Sequence, residues 1–526
     1  MPEPAPFSYD EMPYVDLPFM QTHPGRLAVL GNLFGMRTPA VDSCRVLELG
    51  CASGGNLIGM AVALPNARFL GIDLSSHQIE QGRQTIAALG LRNIALRHAD
   101  ITNVDAAYGE FDYIVSHGIY SWVPADVREK LLSICRENLV PNGVAYVSYN
   151  TLPGWKIRGI LRDAMLYRSG PAPGAMQRVR QARTVLDFLA RNLPRESPYG
   201  VALRQDLEGV LNMSDPFLCH DLLEDVNEPV YFHQFIDAAQ RHAMQYLAEA
   251  EFSAMAPKLS PQIREELRHI APDIIAREQY LDFLHHRSFR QTLLVHQSVK
   301  LNRNLAAHSV RDFQVASQAL SVAETPDLTD GVSESFRAPG GATISAVSAV
   351  SKAALLLLAR QWPGALPFTQ LLAAARDRVR DATGGAAGVA TLEADTRTLG
   401  IEMLQCYAAG VVELRVWSPQ LSLAPSARPV ASALAMLQSV DGNEVTNLLL
   451  QRLTLDGIER ALLPLLDGSR DRDALVATLG RADDEGKLGL PPEITARIHG
   501  RAREPALRQA LEESLLRLGR LALLQD

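Results

Sequence analysis

Between residues 44 and 150 the chain alternates short apolar runs, rich in β-branched and aromatic residues, with longer amphipathic stretches. The runs 45–49, 68–72, 94–98, 113–116 and 144–148 predict strands, and 56–64, 76–89 and 125–139 predict helices between them. That βαβαβ order predicts a parallel sheet with right-handed crossovers. Upstream, prolines at 2, 4, 6, 13, 18 and 24 predict irregular chain, and Pro24 opens a helix ending near Gly35. From 156 to 226 the apolar spacing is helical. A helix then runs into a strand at 246–252, and after more helix a strand follows at 289–297. These two complete a seven-stranded sheet that the helical stretch interrupts. The fold class is therefore α/β.

Residues 318–345 are rich in Ser, Thr, Gly, Asp and Pro and read as a linker or small hairpin around "FRAPGGATIS". Beyond it, three amphipathic helices and the extended "VVELRVW" predict a winged-helix-like unit, and a second similar helical run follows to the end. The expected organisation is 1–43, an N-terminal lid segment and helix; 44–155, the sheet's first half; 156–228, a helical insertion; 229–300, completion of the sheet; 301–345, a linker; 346–526, a mostly helical, winged-helix-like domain.

Composition narrows this picture. The 526 residues are 47% hydrophobic and carry a formal net charge of −8. There is no basic footprint for nucleic acid, so the helical C-terminal region reads as a protein-contact unit. The five cysteines form no CxxC pair, which excludes a zinc-finger spacing and fits a reducing, cytoplasmic setting. "MPEPAPFSYDEMPY" lacks the basic and apolar regions of a signal peptide, and "AALLLLA" at 353–359 is too short to span a bilayer. No metal ligand set stands out.

The chemistry begins at "RVLELGCASGGN", 45–56, where the first strand meets a small-residue loop. The loop ends Gly54-Gly55-Asn56 and lacks the Gly-Lys-Ser/Thr of a phosphate-binding loop. It also fits GxGxxG poorly. Glu48, two residues before Gly50, would repel a pyrophosphate but suits a ligand with an ammonium group. Asp73 in "FLGIDLS" and Asp100 in "RHADIT" end the next two strands, where a carboxylate can accept hydrogen bonds from ribose hydroxyls or reach a base.

These positions resemble the class I, Rossmann-like S-adenosylmethionine-dependent methyltransferases, with Glu48, Gly50, Ala52 and Gly54 as the first motif and Ala52 in place of its middle glycine. The segments "THPGRLAVLGNLFGM", "VSHGIYSWVP", "YVSYNTLPGW" and "LLEDVNEPVYFHQFIDAAQRH" are similar to one subgroup, bacterial methyltransferases with a methyltransferase regulatory domain, which includes the rickettsial outer membrane protein lysine methyltransferases. The resemblance is dense over residues 9–300. It implies S-adenosylmethionine as cofactor, with Cys51, Asn56, Leu74, Ile101 and His117 joining Glu48, Gly50, Ala52, Gly54, Asp73 and Asp100 around it. It further implies a homodimer and a lysine acceptor on a protein substrate, an outer membrane protein among the candidates.

For the acceptor side, two loops carry an unusual set: His117 to Trp122 after the fourth strand, and Tyr149 to Trp155 after the fifth. Tyr120, Tyr149 and Asn150 are the candidate catalytic residues, and Tyr14, Trp122 and Trp155 the candidate substrate-binding ones. Aromatic walls desolvate an amine and favour its neutral, nucleophilic form. The loops serve a metabolite acceptor equally well, and a cofactor-sensing scaffold without turnover is a third reading. His220, His233, His242, His285 and His286 read as packing or surface histidines.

Overall fold

A computed structural model describes residues 8–525 except 15, 171–173, 256–258, 385–389, 486–487 and 489–502. Its centre is one sheet of seven strands: β1 (Arg45–Leu49), β2 (Arg68–Asp73), β3 (Ile94–His98), β4 (Phe111–Ser116), β5 (Leu139–Asn150), β6 (Met244–Glu249) and β7 (Phe289–His296). The spatial order is β3-β2-β1-β4-β5-β7-β6. The first five strands are parallel, and β7 runs antiparallel to both β5 and β6. Strand order reverses between β1 and β4, the place where such a sheet opens a ligand crevice at its carboxyl edge.

The helices follow in chain order: α1 (Ser8–Glu11), α2 (Pro24–Leu33), α3 (Gly55–Ala63), α4 (Ser76–Ala88), α5 (Ala125–Glu137), α6 (Trp155–Ser169), α7 (Ala175–Asn192), α8 (Pro198–Leu211), α9 (Asp215–Leu218), α10 (Phe232–Arg241), α11 (Pro261–Ile270) and α12 (Ile274–His285). A five-residue π-helix, Cys219–Leu223, follows α9 directly. Alternation along β5 divides the core. Val144 and Tyr146 pack with α2 and α3 on one face, while Ala145, Val147 and Tyr149 pack with α5 and α10 on the other. Helices α6 to α8 have a small core of their own around Trp155, Leu161 and Leu186.

Three expectations are corrected. Strand β5 extends two residues past 148, because β7 pairs with it as far as Asn150 opposite Phe289. Strand β6 begins and ends earlier than 246–252. The stretch 301–345 is part of a folded unit: Gln314–Ala316 pairs with both Leu366–Pro367 and Glu413–Arg415, and Phe313, Ala319 and Phe336 lie in a core with helices Ala349–Gln361, Phe368–Thr383 and Leu392–Ala408. The expected hairpin is present within it, Glu334–Arg337 against Thr343–Ala346.

The last unit is a winged-helix domain built on Ala433–Asp441, Arg472–Asp484 and Arg503–Arg520 with the hairpin Glu444–Thr446/Arg452–Thr454. It docks on the sheet domain through Leu434 and Leu450, which join the core containing α3. Gly59 of α3 makes this possible, since a Cβ there would lie 2.5 Å from Leu450 Cδ1. Among the described residues no helix is long and apolar enough to cross a membrane.

Candidate active site

The carboxyl edge of β1 sets the floor of the site. Gly50 (φ +75°) and Gly54 (φ +81°) turn the chain from strand to helix in the left-handed region that glycine tolerates, and Ala52 adopts φ +49° between them. A Cβ on Gly50 would stand 2.1 Å from Ile119 Cδ1, so the loop after β4 lies directly against the glycine loop. Glu48 is buried at the end of β1. Its Oε1 accepts a hydrogen bond from Asn56 Nδ2 (2.8 Å), and its Oε2 is buried without a partner. Burial pushes this carboxyl up to about 8, with the charges of Asp16 and Asp73 adding and the Asn56 bond opposing. A buried carboxylate with one vacant oxygen fits a cationic amino group, which would supply the missing hydrogen bond and counter-charge.

Asp73 ends β2 and holds the glycine loop: its Oδ2 accepts from Ala52 N and its Oδ1 from Ser75 N, both at 2.8 Å. Leu74 beside it is half exposed at 49%, an apolar surface facing the crevice edge. Asp100 caps the turn Ile101–Asn103 by accepting from Thr102 N and Oγ1 at 2.8 Å each, and Ile101 is half-buried next to it. Cys51 is buried, its Sγ close under Gly71, and desolvation raises its thiol well above the ordinary value, so it is a packing residue.

Asn56 serves differently from the expectation. Its amide is committed on both sides, donating to Glu48 and to Thr22 Oγ1 (2.9 Å) and accepting from Phe19 N (2.9 Å). It therefore positions Glu48 and anchors the N-terminal segment instead of reaching a ligand. That segment, residues 12–14 and 16–23, forms a strap across the floor. Asp16 Oδ1 accepts from Gly55 N (2.7 Å), the first amide of α3, and Tyr14 O accepts from Gln78 Nε2 at α4 (3.4 Å). Asp16 is enclosed by protein on most sides yet remains exposed, the mark of a group lining a cleft.

His117 lies under the strap. Its ring is 3.9 Å from that of Phe19 and 6.0 Å from Phe289, and Nδ1 lies 2.8 Å from Tyr146 Oη. Burial lowers its pKa to about 4, so it is a neutral wall at working pH. Gly118 (φ +70°) donates to Ser148 Oγ (2.8 Å) and would have open space before a Cβ.

Tyr120 and Tyr149 are corrected from acceptor-site residues to core residues. Tyr149 stacks on Phe235 (4.1 Å) with its hydroxyl 3.0 Å from Thr292 Oγ1, and Tyr120 meets Phe235 edge-on (5.0 Å). Both are at most 5% exposed. The cause is the two-residue extension of β5, which makes Tyr149 follow Val147 into the α10 face. Asn150, by the same alternation, joins Tyr146 and Ser148 on the His117 side, where its Nδ2 donates to Asn227 Oδ1 (3.3 Å). Trp122 and Trp155 meet edge-to-face (6.2 Å) and join the insertion's core, Trp155 buried and Trp122 partly so.

The insertion supplies a roof that the sequence did not reveal. His220 Nε2 lies 2.6 Å from Met12 O, and its ring stacks on Tyr9 at 4.0 Å. Tyr14, beside Phe217 (5.4 Å), hydrogen-bonds Asp221. Asp221 is half-buried, and desolvation raises its carboxyl to about 6 against the pull of His220, Arg158 and the Tyr14 bond.

Comparison with known proteins decides what this floor belongs to. Family models match residues 46–143 as "Methyltransferase domain", 214–296 as "Predicted methyltransferase regulatory domain" and 427–523 as "PKMT, C-terminal winged helix domain". An uncharacterised protein of Rickettsia prowazekii is 34% identical over 497 residues, 92% of this chain and 88% of that one. The solved structure of PKMT2 from Rickettsia typhi superposes with a TM-score of 0.86 at 29% identity, covering 98% of this chain and 100% of that one. The chain belongs to the class I S-adenosylmethionine-dependent methyltransferases with a methyltransferase regulatory domain. PKMT2 is also known in complex with AdoHcy, and that structure superposes at 0.84. The cofactor of this methyltransferase is accordingly S-adenosylmethionine. The buried Glu48 carboxyl, with its unpartnered Oε2, fits the amino group of that cofactor. The regulatory region of the methyltransferase is the part that supplies Asp221, β6 and β7.

Proposed function

We propose that the chain transfers methyl groups to lysine side chains of a protein. The observation that carries this reading is the acidity around the strap: Asp16, Asp73 and Asp221 lie beside an aromatic roof of Tyr9, Tyr14 and Phe19. Such a lining attracts a cationic amine and repels carboxylated metabolites. The name of the solved relative and the sequence resemblance point the same way.

When bound, the cofactor presents an electrophilic methyl group on a positively charged sulfur. The protein's part is to hold the acceptor nitrogen in line with it and to exclude water. The strap and the π-helix form the cover, His117 adds a neutral wall, and the Gly118 backbone leaves room for the acceptor chain. The amine must lose a proton before it attacks, and desolvation beneath the aromatic roof favours that neutral form. Incubation of the purified chain with radiolabelled cofactor and a lysate of its own organism should move label into the protein fraction. Label confined to small molecules would overturn the proposal in favour of a metabolite acceptor.

A further inference from the structure

Four carboxylates lie close to the strap, and three have an evident place. Glu48 and Asp73 end strands of the floor, and Asp16 holds the first amide of α3. Asp221 comes from the opposite wall. It sits in a π-helix, where one extra residue per turn re-aims the side chains, a feature that clusters at functional sites. This turn is clamped from both ends. His220 Nε2 reaches the strap at Met12 O, and its Nδ1 lies 2.8 Å from Glu224. Cys219, His220 and Glu224 bring three ligand atoms within 4.8 Å of one another, yet both His220 nitrogens are already engaged, so the cluster reads as a brace and not a metal site.

The groups around Asp221 are few. Tyr14 hydrogen-bonds it from the strap, and Tyr9 lies within electrostatic reach of both Asp221 and Asp73. The two groups whose charge pulls the Asp221 carboxyl down, His220 and then Arg158 of α6, have partners of their own: His220 lies against Met12 O and Glu224, and Arg158 pairs with Asp206 (3.3 Å) and lies over Trp155 (5.7 Å). Among the described residues Asp221 therefore has a neutral donor, Tyr14, and no ion pair, and it shares Tyr9 as a neighbour with Asp73 of the floor.

We infer that Asp221, aimed by Tyr14, receives the acceptor's amino group; the inference rests on the lysine reading above. An ammonium proton leaves to water as the side chain enters. The neutral amine then donates one N–H to Asp221, which leaves its lone pair directed at the methyl carbon. The N–C bond forms as the C–S bond breaks, the positive charge passes from sulfur to nitrogen, and the new ammonium loses its proton to solvent. Asp221 holds the amine before transfer and pairs with the cation that transfer forms, so its loss weakens acceptor binding as well as slowing the step.

The test uses the full-length chain, a pool of lysine-centred peptides and S-adenosylhomocysteine. Asp221→Asn should raise KM for the peptides at least about tenfold, the scale of one charge-assisted hydrogen bond. Its affinity for S-adenosylhomocysteine should stay within about threefold. Asp221→Glu should recover part of the loss, which a merely structural role would not allow. Tyr14→Phe removes only the aiming hydroxyl and should raise KM less; it carries the test if Asp221→Asn fails to fold. A peptide KM unchanged in both variants, or a KM that rises only together with an equal loss of cofactor affinity, would overturn the inference while leaving lysine methylation standing. A wild type that methylates no lysine would overturn the underlying reading and this inference with it.

Discussion

The strongest electrostatic feature of the floor is Glu48, and its consequence for cofactor binding can be worked through. With its carboxyl held up to about 8 by burial, roughly nine-tenths of the free protein carries the proton there at pH 7 and about 99% at pH 6. Only the ionised form pairs with an amino cation. Binding at pH 7 should therefore release about 0.9 proton from this group, and affinity should rise about tenfold from pH 6 to pH 7. Above about pH 8 the rise should flatten, because the carboxylate is already charged in the free protein. Isothermal titration of S-adenosylhomocysteine in buffers of different ionisation enthalpy counts the released protons directly. Glu48→Gln should weaken binding and abolish most of the proton release. A wild-type affinity flat between pH 6 and 8, or a Glu48→Gln variant with the same slope, would refute the assignment of Glu48 to the amino group.

Three further outcomes follow from the packing. Tyr149→Phe should leave turnover within about twofold and lower stability by about 1 kcal/mol, the worth of its bond to Thr292, as read by denaturant unfolding. Gly59→Val should crowd Leu450 and lower stability by roughly 1–3 kcal/mol, with limited proteolysis freeing the C-terminal winged-helix domain earlier than in the wild type. Glu278, buried with Asp282, Glu249 and Arg290, is raised to about 7 by desolvation, so its contribution to stability is full below the ordinary carboxylate range and is lost as pH rises through 7; Glu278→Gln should flatten that part of a melting-temperature profile.

The sheet was legible because its strands are short β-branched runs between clear turns, and because Glu48, Asp73 and Asp100 fall at consecutive strand ends, where chemistry is placed by topology. What escaped depended on pairing. Nothing local to 144–150 says that β7 will extend β5 by two residues, yet that extension sends Tyr149 into the core and sets Asn150 on the opposite face against Asn227. The strap has no periodicity, so Asp16, Phe19 and Thr22 gave no signal beyond a proline-rich lid. Asp221 was hidden for a related reason: a π-helix breaks the 3.6-residue register by which a helical face is read. His117 was found from its loop, and its neutral state only from its burial.

The proposed methyl acceptor is the side-chain amine of lysine in a polypeptide. Its most direct test is the identity of the labelled amino acid. Protein labelled by the purified chain and methyl-radiolabelled S-adenosylmethionine is hydrolysed in acid, and the radioactivity is assigned by chromatography against methylated amino-acid standards. The label should elute with methyl-lysines. Label eluting with methyl-arginine or methyl-histidine, or lost as volatile methanol from a methyl ester, would contradict it.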